Sequence, residues 1–349
     1  MIGIIGATGF TGQLVAIELK SKGVDFFIAA RNQSKLNQLS EKLGGVPMRL
    51  IDVLDQTTYG ALDGCTVIIN CAGPFTDLGE PIVKEAISRK IHYLDLTGEQ
   101  SFIKLVYDKY HEHAKKAGIA LIPACAFEYA IGDCAGAQLY EAMPDCKNMD
   151  VAYHIEGMYT SAGTRKSVIR AMAASAYSYK NGQFTEGLAS TASRSSQFKD
   201  LNSSLMPFPA GEILMIPRHT QVQNINTYMT VQMPSFLVPL IGLIAKPVLK
   251  FAADYFVNAI GTSSPSLEQR QSTTFQIKVV GDNLKSKLEI EISGSDPYLL
   301  TSVIIAGAAD YLSKNAPANL GAISPAMISE TNLIKELLVK SSLQWTENR

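Results

Sequence analysis

Short apolar runs alternate with amphipathic stretches through the first third of the chain. Apolar runs bounded by turn residues are typical of buried strands, and apolar residues that recur every three or four positions are typical of helices packed on a sheet. The runs predict strands near 1–5, 24–30, 47–52, 65–71, 91–95 and 118–123. The amphipathic stretches predict helices at 10–22, 33–43, 79–89 and 100–117. This alternation indicates the α/β class, with a Rossmann-type doubly wound parallel sheet.

The pattern changes after Asp133, which places a domain boundary near 125–150. Residues 185–235 show little periodicity and many Ser, Thr, Asn, Gln and Pro residues, which indicates irregular structure with short strands. Before this stretch, the pattern predicts a helix to about 143, an extended stretch at 151–158 and a helix at 164–177. Nearer the end of the chain, it predicts a hairpin of strands 272–281 and 286–293 that turns at 281–283. Helices are predicted at 296–314 and 325–340. This mixture predicts a second domain of mixed α/β type.

Residues 236–260 are apolar but contain two prolines and three charged side chains. A membrane-spanning helix would tolerate these residues poorly. Two short amphipathic helices fit the pattern better. They would either be buried, inside the domain or in a dimer, or lie on a membrane surface, and the sequence leaves these alternatives open.

A run with glycine at every third position follows the first strand, where a helix should begin. A tight strand-to-helix turn needs residues without Cβ crowding, phosphates need close approach of the backbone, and the first turn of a helix offers unpaired N–H groups. We therefore predict that this turn binds the pyrophosphate of a dinucleotide. The predicted binding residues are Gly6, Thr8, Gly9, Phe10, Thr11 and Gly12.

The end of the second strand indicates which dinucleotide is preferred. In doubly wound folds an acidic residue there selects NAD, whereas a basic residue accommodates the 2′-phosphate of NADP. The strand ends in Arg31 and Asn32, with Lys35 one helical turn later. Because no carboxylate is present and the forked guanidinium of Arg31 can pair with phosphate, we predict NADP(H) in preference to NAD(H), with Arg31, Asn32 and Lys35 in its site.

Two further strand ends complete the predicted cofactor site. Asp52, after the third strand, is placed to accept a hydrogen bond from the adenine amino group. The fourth strand ends in small residues that let the backbone pass the nicotinamide ribose, namely Cys71, Ala72, Gly73 and Pro74. Cys71 is interpreted as a packed small residue and not as a nucleophile.

Residues after the fourth, fifth and sixth strands should surround the nicotinamide, because ligands of open α/β sheets bind beyond the carboxyl ends of the strands. Hydride transfer also needs a proton donor. The candidates are Tyr129 and Glu99, and His154 of the second domain is a less favoured third candidate. Each has a structural interpretation as well: Tyr129 as a packed residue, Glu99 as a helix cap and His154 as a strand residue.

Composition narrows the function classes. At 349 residues, with 46% hydrophobic and 18% charged residues, the chain is expected to form two folded domains. A net charge of −1 without long Lys/Arg runs excludes nucleic acid as a main partner. The five cysteines and five histidines show no metal-binding spacing, so reduced thiols and no metal are expected. Because the first strand begins at Met1, we predict a cytoplasmic protein, with peripheral membrane contact through 236–260 as the alternative.

Four segments spread over nearly the whole chain carry a family resemblance. They are Gly-Ala-Thr-Gly-Phe-Thr-Gly at 6–12, Ala-Gly-Pro-Phe at 72–75, Tyr-Leu-Asp-Leu-Thr-Gly-Glu at 93–99, which is the most specific, and Asp-Pro-Tyr at 296–298. Together they resemble the saccharopine dehydrogenase-like family, including its trans-acting enoyl reductase branch. The chain departs from the family at 126–133, where it reads Ala-Phe-Glu-Tyr-Ala-Ile-Gly-Asp in place of the usual Gly-Phe-Asp-Ser-x-Pro-x-Asp, a departure that concerns the substrate pocket.

The resemblance implies a pyridine-nucleotide oxidoreductase in three parts. These are a Rossmann NAD(P)-binding domain at 1–133, a mixed α/β substrate or dimerisation domain at 134–299, and C-terminal helices at 300–349 that pack back on the first domain. We expect a reductase that acts on a C=C, C=O or C=N bond of a small or acyl/lipid-like substrate. A non-catalytic NADP-binding sensor and a family member at a membrane surface are the alternatives, and a homodimer is the default expectation for such reductases.

Overall fold

The computed structural model describes residues 1–173, 176–187, 194–195, 204–231, 263–341 and 343–348. The chain divides into two compact units. Unit 1 consists of Met1–Thr97, Phe102–Ala130 and Tyr298–Ser341, and unit 2 consists of Gly98–Ser101, Ile131–Pro297 and Ser342–Arg349. The apolar segment 236–260 lies outside the described residues.

The described strands are β1 (Ile2–Ile5), β2 (Phe26–Ala30), β3 (Met48–Leu50), β4 (Val67–Asn70), β5 (His92–Asp95), β6 (Ala120–Ile122), β7 (Asn148–Glu156), β8 (Tyr177–Lys180), β9 (Gln183–Glu186), β10 (Arg194–Ser195), β11 (Ser204–Pro207), β12 (Asn224–Val231), β13 (Thr274–Asp282), β14 (Lys287–Ser295), β15 (Gly321–Ala322) and β16 (Gln344–Asn348). The described α-helices are α1 (Phe10–Ser21), α2 (Gln33–Lys42), α3 (Phe75–Arg89), α4 (Gln100–Ala117), α5 (Phe127–Ala142), α6 (Ala162–Ala173), α7 (Glu212–Met215), α8 (Leu267–Ser272), α9 (Pro297–Lys314) and α10 (Leu333–Val339). Short 3₁₀ helices lie at Gln56–Leu62, Ile216–Arg218 and Pro325–Met327.

Unit 1 is built on a parallel sheet in which the described strands follow the order β15-β6-β5-β4-β1-β2-β3. Every residue of β1, β2 and β4 is buried, as expected for parallel strands covered by helices on both faces. The strand order reverses at β1, which pairs with β2 on one side and with β4 on the other. The predicted Rossmann-type fold is confirmed, and this reversal is the place where such sheets bind ligands.

Unit 2 contains a mixed sheet with the main strand order β10-β11-β12-β7-β13-β14-β16 within the described residues. Strand β12 runs through it parallel to β7, inside the stretch 185–235 that the sequence predicts to be irregular with short strands. The polar residues of β12 interrupt the apolar pattern of a strand, but their side chains form hydrogen bonds to the neighbouring strand β7. The Asn224 and Asn226 amides donate to Asn148 Oδ1 at 2.8 Å and Asp150 Oδ1 at 2.7 Å.

The predicted hairpin near the end of unit 2 is present, because β13 and β14 pair antiparallel along their whole length. Its turn lies after β13 and not at 281–283. Asn283 shapes the turn, since its Oδ1 accepts hydrogen bonds from Lys285 N at 3.1 Å and Ser286 N at 2.9 Å. Leu284 takes a left-handed conformation with φ of 72°.

The end of the chain differs from the helices predicted for 300–349. Helices α9 and α10 are present, but β16 adds an antiparallel strand beside β14 in unit 2. Trp345 Nε1 also donates to Gln138 Oε1 of α5 at 3.1 Å. Because the partners of β16 lie far away in sequence, the local pattern does not reveal this strand. No described helix combines the length and the apolar character that crossing a bilayer would require.

Candidate functional site

The turn from β1 to α1, residues 6–12, has no room for side chains at two of its glycines. Gly6 has a φ of 74°, and a Cβ there would lie 2.8 Å from Ala72 N. A Cβ on Gly12 would lie 2.5 Å from the carbonyl oxygen of Gly6. Both collisions involve backbone atoms, which cannot rotate away. The turn therefore requires glycine, and it places the end of β1 against the segment that follows β4.

Helix α1 begins at this turn without a side-chain cap. Its N-cap residue is Gly9, and its first turn contains no acidic residue. Gly9 is exposed, with Thr8, Phe10 and Thr11 partly exposed beside it. Unpaired N–H groups at a helix N-terminus attract anions. The close backbone approach and the open helix start fit a dinucleotide pyrophosphate.

Arg31, Asn32 and Lys35 lie together beyond the carboxyl end of β2. Asn32 caps α2, because its Oδ1 accepts a hydrogen bond from Lys35 N at 2.9 Å. The side chains of Arg31 and Lys35 are exposed, and neither forms a hydrogen bond or ion pair within the described part of the chain. Two exposed cations without an acidic partner fit the 2′-phosphate of NADP.

Asp52 follows β3 at the same edge of the sheet and is partly exposed. Its Oδ1 accepts a hydrogen bond from Leu54 N at 3.0 Å, and its own N–H donates to Thr58 Oγ1 at 3.0 Å. These bonds fix the orientation of the carboxylate in the loop, where the adenine is expected.

Asn70, the last residue of β4, shapes the segment 71–74, and the sequence analysis missed it. Its side chain is buried, its Oδ1 accepts from Ala72 N at 3.0 Å, and its Nδ2 donates to the Tyr93 hydroxyl at 3.2 Å. Cys71 N donates to the Ile5 carbonyl at 2.8 Å, which holds this segment beside the glycine-rich turn. An Asn that ends an otherwise apolar strand is the sequence signal that could have found this residue.

The Cys71 residue is partly exposed, but its thiol is desolvated. This desolvation, together with the nearby Asp95 carboxylate, raises the pKa of the Cys71 thiol to about 12. The thiol is therefore protonated at neutral pH, and the thiolate form that a nucleophile needs is not populated. This supports the interpretation of Cys71 from the sequence.

Asp95, the last residue of β5, forms hydrogen bonds with the segment that follows β6. It is fully buried, and its Oδ1 accepts hydrogen bonds from Thr97 N and Ala124 N, each at 2.9 Å. Its carbonyl oxygen accepts from Cys125 N at 2.8 Å. Ala124 adopts a left-handed φ of 59° between these bonds. The specific run at 93–99 thus has a structural role in shaping the turn from β6 to α5.

Glu128 and Tyr129 lie in the first turn of α5, the helix that follows β6. Tyr129 is buried, and Glu128 is partly exposed. Although part of the Glu128 residue is exposed, its carboxyl group is desolvated, which raises the pKa of that carboxyl above its ordinary value. A carboxyl with a raised pKa keeps its proton to higher pH, as a general acid requires. The sequence analysis placed Glu128 in this region but did not name it as a proton donor, because burial is a tertiary property.

Glu99 has a structural partner. It belongs to the segment Gly98–Ser101 of unit 2, is only 1% exposed, and its Oε1 accepts a hydrogen bond from Ser167 Oγ of α6 at 3.0 Å. The two donors predicted from the sequence, Tyr129 and Glu99, therefore belong to different units.

His154 is engaged at both ring nitrogens. Its Nδ1 lies 2.7 Å from Thr230 Oγ1 and its Nε2 lies 3.3 Å from Glu156 Oε1. These contacts favour the interpretation of His154 as a strand residue. Unit 2 holds another His–carboxylate pair that the sequence analysis missed, with His219 Nε2 at 2.6 Å from the buried Asp133 Oδ1. In the described ranges, no group of three or more His, Cys, Asp or Glu side chains is arranged to hold a metal ion.

Residues 2–122 match the family model of the saccharopine dehydrogenase NADP binding domain. Similar proteins include saccharopine dehydrogenase-like oxidoreductases of Bos taurus and Homo sapiens, each 33% identical over 144 residues, or 36% of this chain and 34% of theirs. A Mycobacterium tuberculosis protein named as a trans-acting enoyl reductase is 32% identical over 40% of this chain and 35% of its own. The matched part thus covers about a third of the length of these relatives.

Two solved structures have the same fold over almost the whole chain. Saccharopine dehydrogenase (L-Glu forming) of Saccharomyces cerevisiae has a TM-score of 0.65 and 13% identity, with 99% of each chain covered. Homospermidine synthase of Legionella pneumophila has a TM-score of 0.62 and 10% identity, with 99% of this chain and 90% of that chain covered. At these identities the similarity shows the fold of both units. The match of residues 2–122 to the NADP binding domain of saccharopine dehydrogenase agrees with the family resemblance and with the NADP cofactor predicted from the sequence.

Proposed function

We propose that the chain is an NADP(H)-dependent oxidoreductase that reduces a C=C, C=O or C=N bond of a small or acyl/lipid-like substrate. The observation that carries this proposal is the turn at residues 6–12, where backbone atoms exclude any Cβ at Gly6 and Gly12 and the uncapped start of α1 is open to an anion. The NADP-binding family of this domain supports it.

The binding residues are assigned from the edge of the sheet inward. The N–H groups of residues 6–12 would hold the pyrophosphate, and Arg31 and Lys35 would pair with the 2′-phosphate. Asp52 would accept from the adenine amino group, and residues 71–74 would lie along the nicotinamide ribose. Two separate observations support the preference for NADP(H), namely the exposed cations after β2 and the family match.

Bound NADPH would supply a hydride, so the protein must supply a proton to the reduced substrate. Glu128 is the donor that we propose first, because burial raises its pKa and it directly precedes Tyr129 in the first turn of α5. Tyr129 remains a candidate for the same role or for orienting the substrate. For Glu99 we propose a positioning role, since its carboxylate accepts a hydrogen bond from Ser167.

A lipid-like substrate is supported by the names of two relatives. One is the trans-acting enoyl reductase, and the other is a lipid droplet localized protein of Caenorhabditis elegans, 30% identical over 36% of this chain. The apolar segment 236–260 is the part of the chain that would meet a lipid surface. Flotation of the intact protein with phosphatidylcholine vesicles tests contact with a lipid surface, with Leu240→Asp as the comparison variant. Equal recovery of both proteins in the fraction without vesicles would contradict contact through 236–260.

Calorimetric titration with NADPH and NADH tests the cofactor assignment. We expect tight NADPH binding and weak NADH binding by the wild-type chain. Arg31→Ala should weaken NADPH binding by about tenfold to a hundredfold and change NADH binding little, because only NADPH carries the 2′-phosphate. Lys22→Ala, which removes an exposed cation elsewhere in unit 1, is the matched control.

Equal losses of both nucleotides in Arg31→Ala would rule out the 2′-phosphate assignment. A screen of enoyl, carbonyl and imine compounds for NADPH oxidation then separates an enzyme from a sensor. Tight binding without turnover in that screen would favour the non-catalytic sensor.

A further inference from the structure

The first turn of α9 packs on the glycine-rich turn of unit 1. Tyr298, the second residue of α9, contacts Phe10 edge-on, with ring centroids 5.0 Å apart and ring planes at 85°. This arrangement is favourable because the positive edge of one aromatic ring meets the negative face of the other. Phe10 is the first residue of α1 and directly follows Gly9. Tyr298 therefore fixes the Phe10 ring beside the proposed pyrophosphate site.

The same turn of α9 also contacts the segment that carries the proposed proton donor. Thr301 Oγ1 accepts a hydrogen bond from Phe127 N at 3.2 Å. Phe127 is the first residue of α5, and Glu128 and Tyr129 follow it. Thr301 is buried, so water competes little for this bond.

Tyr298 and Thr301 are three residues apart on a helix, which places them on the same side. One helical turn thus joins the start of α1 to the start of α5, and all four contacting residues belong to unit 1. The distance between the proposed phosphate site and the proposed acid is set by this turn as well as by the sheet.

We infer that Tyr298 is a positioning residue, which acts through Phe10 to hold the proposed pyrophosphate-binding turn at a fixed distance from the start of α5, while Thr301 anchors the same helical turn at α5. This inference rests on the proposed NADP(H) binding. A fixed spacing matters because hydride and proton transfer are sensitive to displacements of about 1 Å.

Titration of the full chain with NADPH and with adenosine 2′-monophosphate, which lacks the pyrophosphate and the nicotinamide half, tests this role. Tyr298→Ala should weaken NADPH binding about tenfold and leave the binding of adenosine 2′-monophosphate unchanged. The emission of bound NADPH, which reports on the surroundings of the nicotinamide, should fall at saturation. Tyr298→Phe keeps the ring pair and should restore both properties. Tyr311→Ala, the same substitution near the other end of α9, is the matched control.

A double-mutant cycle with Phe10→Ala tests whether Tyr298 acts through Phe10. The double variant should bind NADPH no more weakly than the weaker single variant. Additive losses would overturn the inference, as would wild-type affinity and emission in Tyr298→Ala. An equal loss of affinity for adenosine 2′-monophosphate would overturn it too, because that result means general damage to the domain. Failure of the wild-type chain to bind NADPH would instead reject the proposed function itself.

Discussion

Two turns at the carboxyl edge of the unit 1 sheet each contain a residue with a left-handed backbone conformation, but they stabilise that conformation in different ways. The turn from β1 to α1 uses glycine, since Gly6 takes a φ of 74° and neither Gly6 nor Gly12 has room for a Cβ. The turn from β6 to α5 places Ala124 at a φ of 59°, and the buried Asp95 carboxylate holds it there. A left-handed conformation is cheap for glycine and costs free energy for alanine.

The difference matches the two proposed roles. A phosphate site needs backbone N–H groups close to the ligand, so the first turn is built without side chains. A proton donor needs a side chain in a chosen environment, so the second turn is positioned by side chains and carries Glu128. Strain held by surrounding groups is common at functional sites.

The largest effect is expected from a methyl group in the first turn. Gly12→Ala places a Cβ 2.5 Å from the Gly6 carbonyl oxygen, so the backbone must shift and the phosphate site opens. We expect NADPH affinity to fall by about a hundredfold or more, measured by calorimetry. Gly60→Ala is the control, because a Cβ there meets nothing within 4 Å. Wild-type affinity in Gly12→Ala would mean that the turn does not form the phosphate site.

The second turn is tested by Glu128→Gln, which keeps the shape of the side chain and removes the carboxylic acid proton that Glu128 would donate. Turnover of a substrate found in the screen should fall about a hundredfold while NADPH affinity is unchanged. In the wild type, turnover should also fall as the pH rises through the raised pKa of Glu128, because the deprotonated carboxyl cannot donate.

Stability gives an independent readout of Glu128. The native state holds the Glu128 proton more tightly than the unfolded state, so the free energy of unfolding should decrease as pH rises from the ordinary Glu pKa to the raised native pKa. Glu128→Gln should remove this decrease. Urea unfolding of both proteins at several pH values measures it, and parallel curves would contradict a raised pKa.

The smallest effect is expected from Ala124→Gly, which relieves the strain in the second turn. We expect the free energy of unfolding to rise by up to about 1 kcal/mol, because glycine adopts positive φ without penalty and loses part of this gain through its flexibility in the unfolded chain. NADPH affinity should be unchanged. A decrease in stability, measured by urea unfolding, would mean that Ala124 contributes packing that outweighs its strain.

The sequence predicted the first turn better than the second for a physical reason. Glycine spacing after an apolar strand is a local pattern, and the constraint on Gly12 acts within the turn itself, against the carbonyl oxygen of Gly6. The constraint on Gly6 comes from the distant Ala72. The second turn depends on Asp95 and Ala124, which are 29 positions apart and meet only because β5 and β6 pair. The raised pKa of Glu128 depends on burial in the same way.

Unit 2 shows the same limit. The hairpin of β13 and β14 is visible in the sequence because alternating apolar residues and a turn lie close together. Strand β12 is not, because its asparagines are satisfied by Asn148 and Asp150 on a strand some 76 positions earlier. Strand β16 likewise exists because β14 offers an open edge.

By itself the sequence predicted the Rossmann-type class, the glycine-rich turn and NADP as the cofactor, since strand burial, glycine spacing and the charge at Arg31 are local patterns. Only the tertiary structure decided that Asp95 shapes the turn after β6, that Glu99 bonds to Ser167, and that Tyr298 packs on Phe10. These features depend on which distant residues a fold brings within a few ångströms, and on the water that it excludes around them.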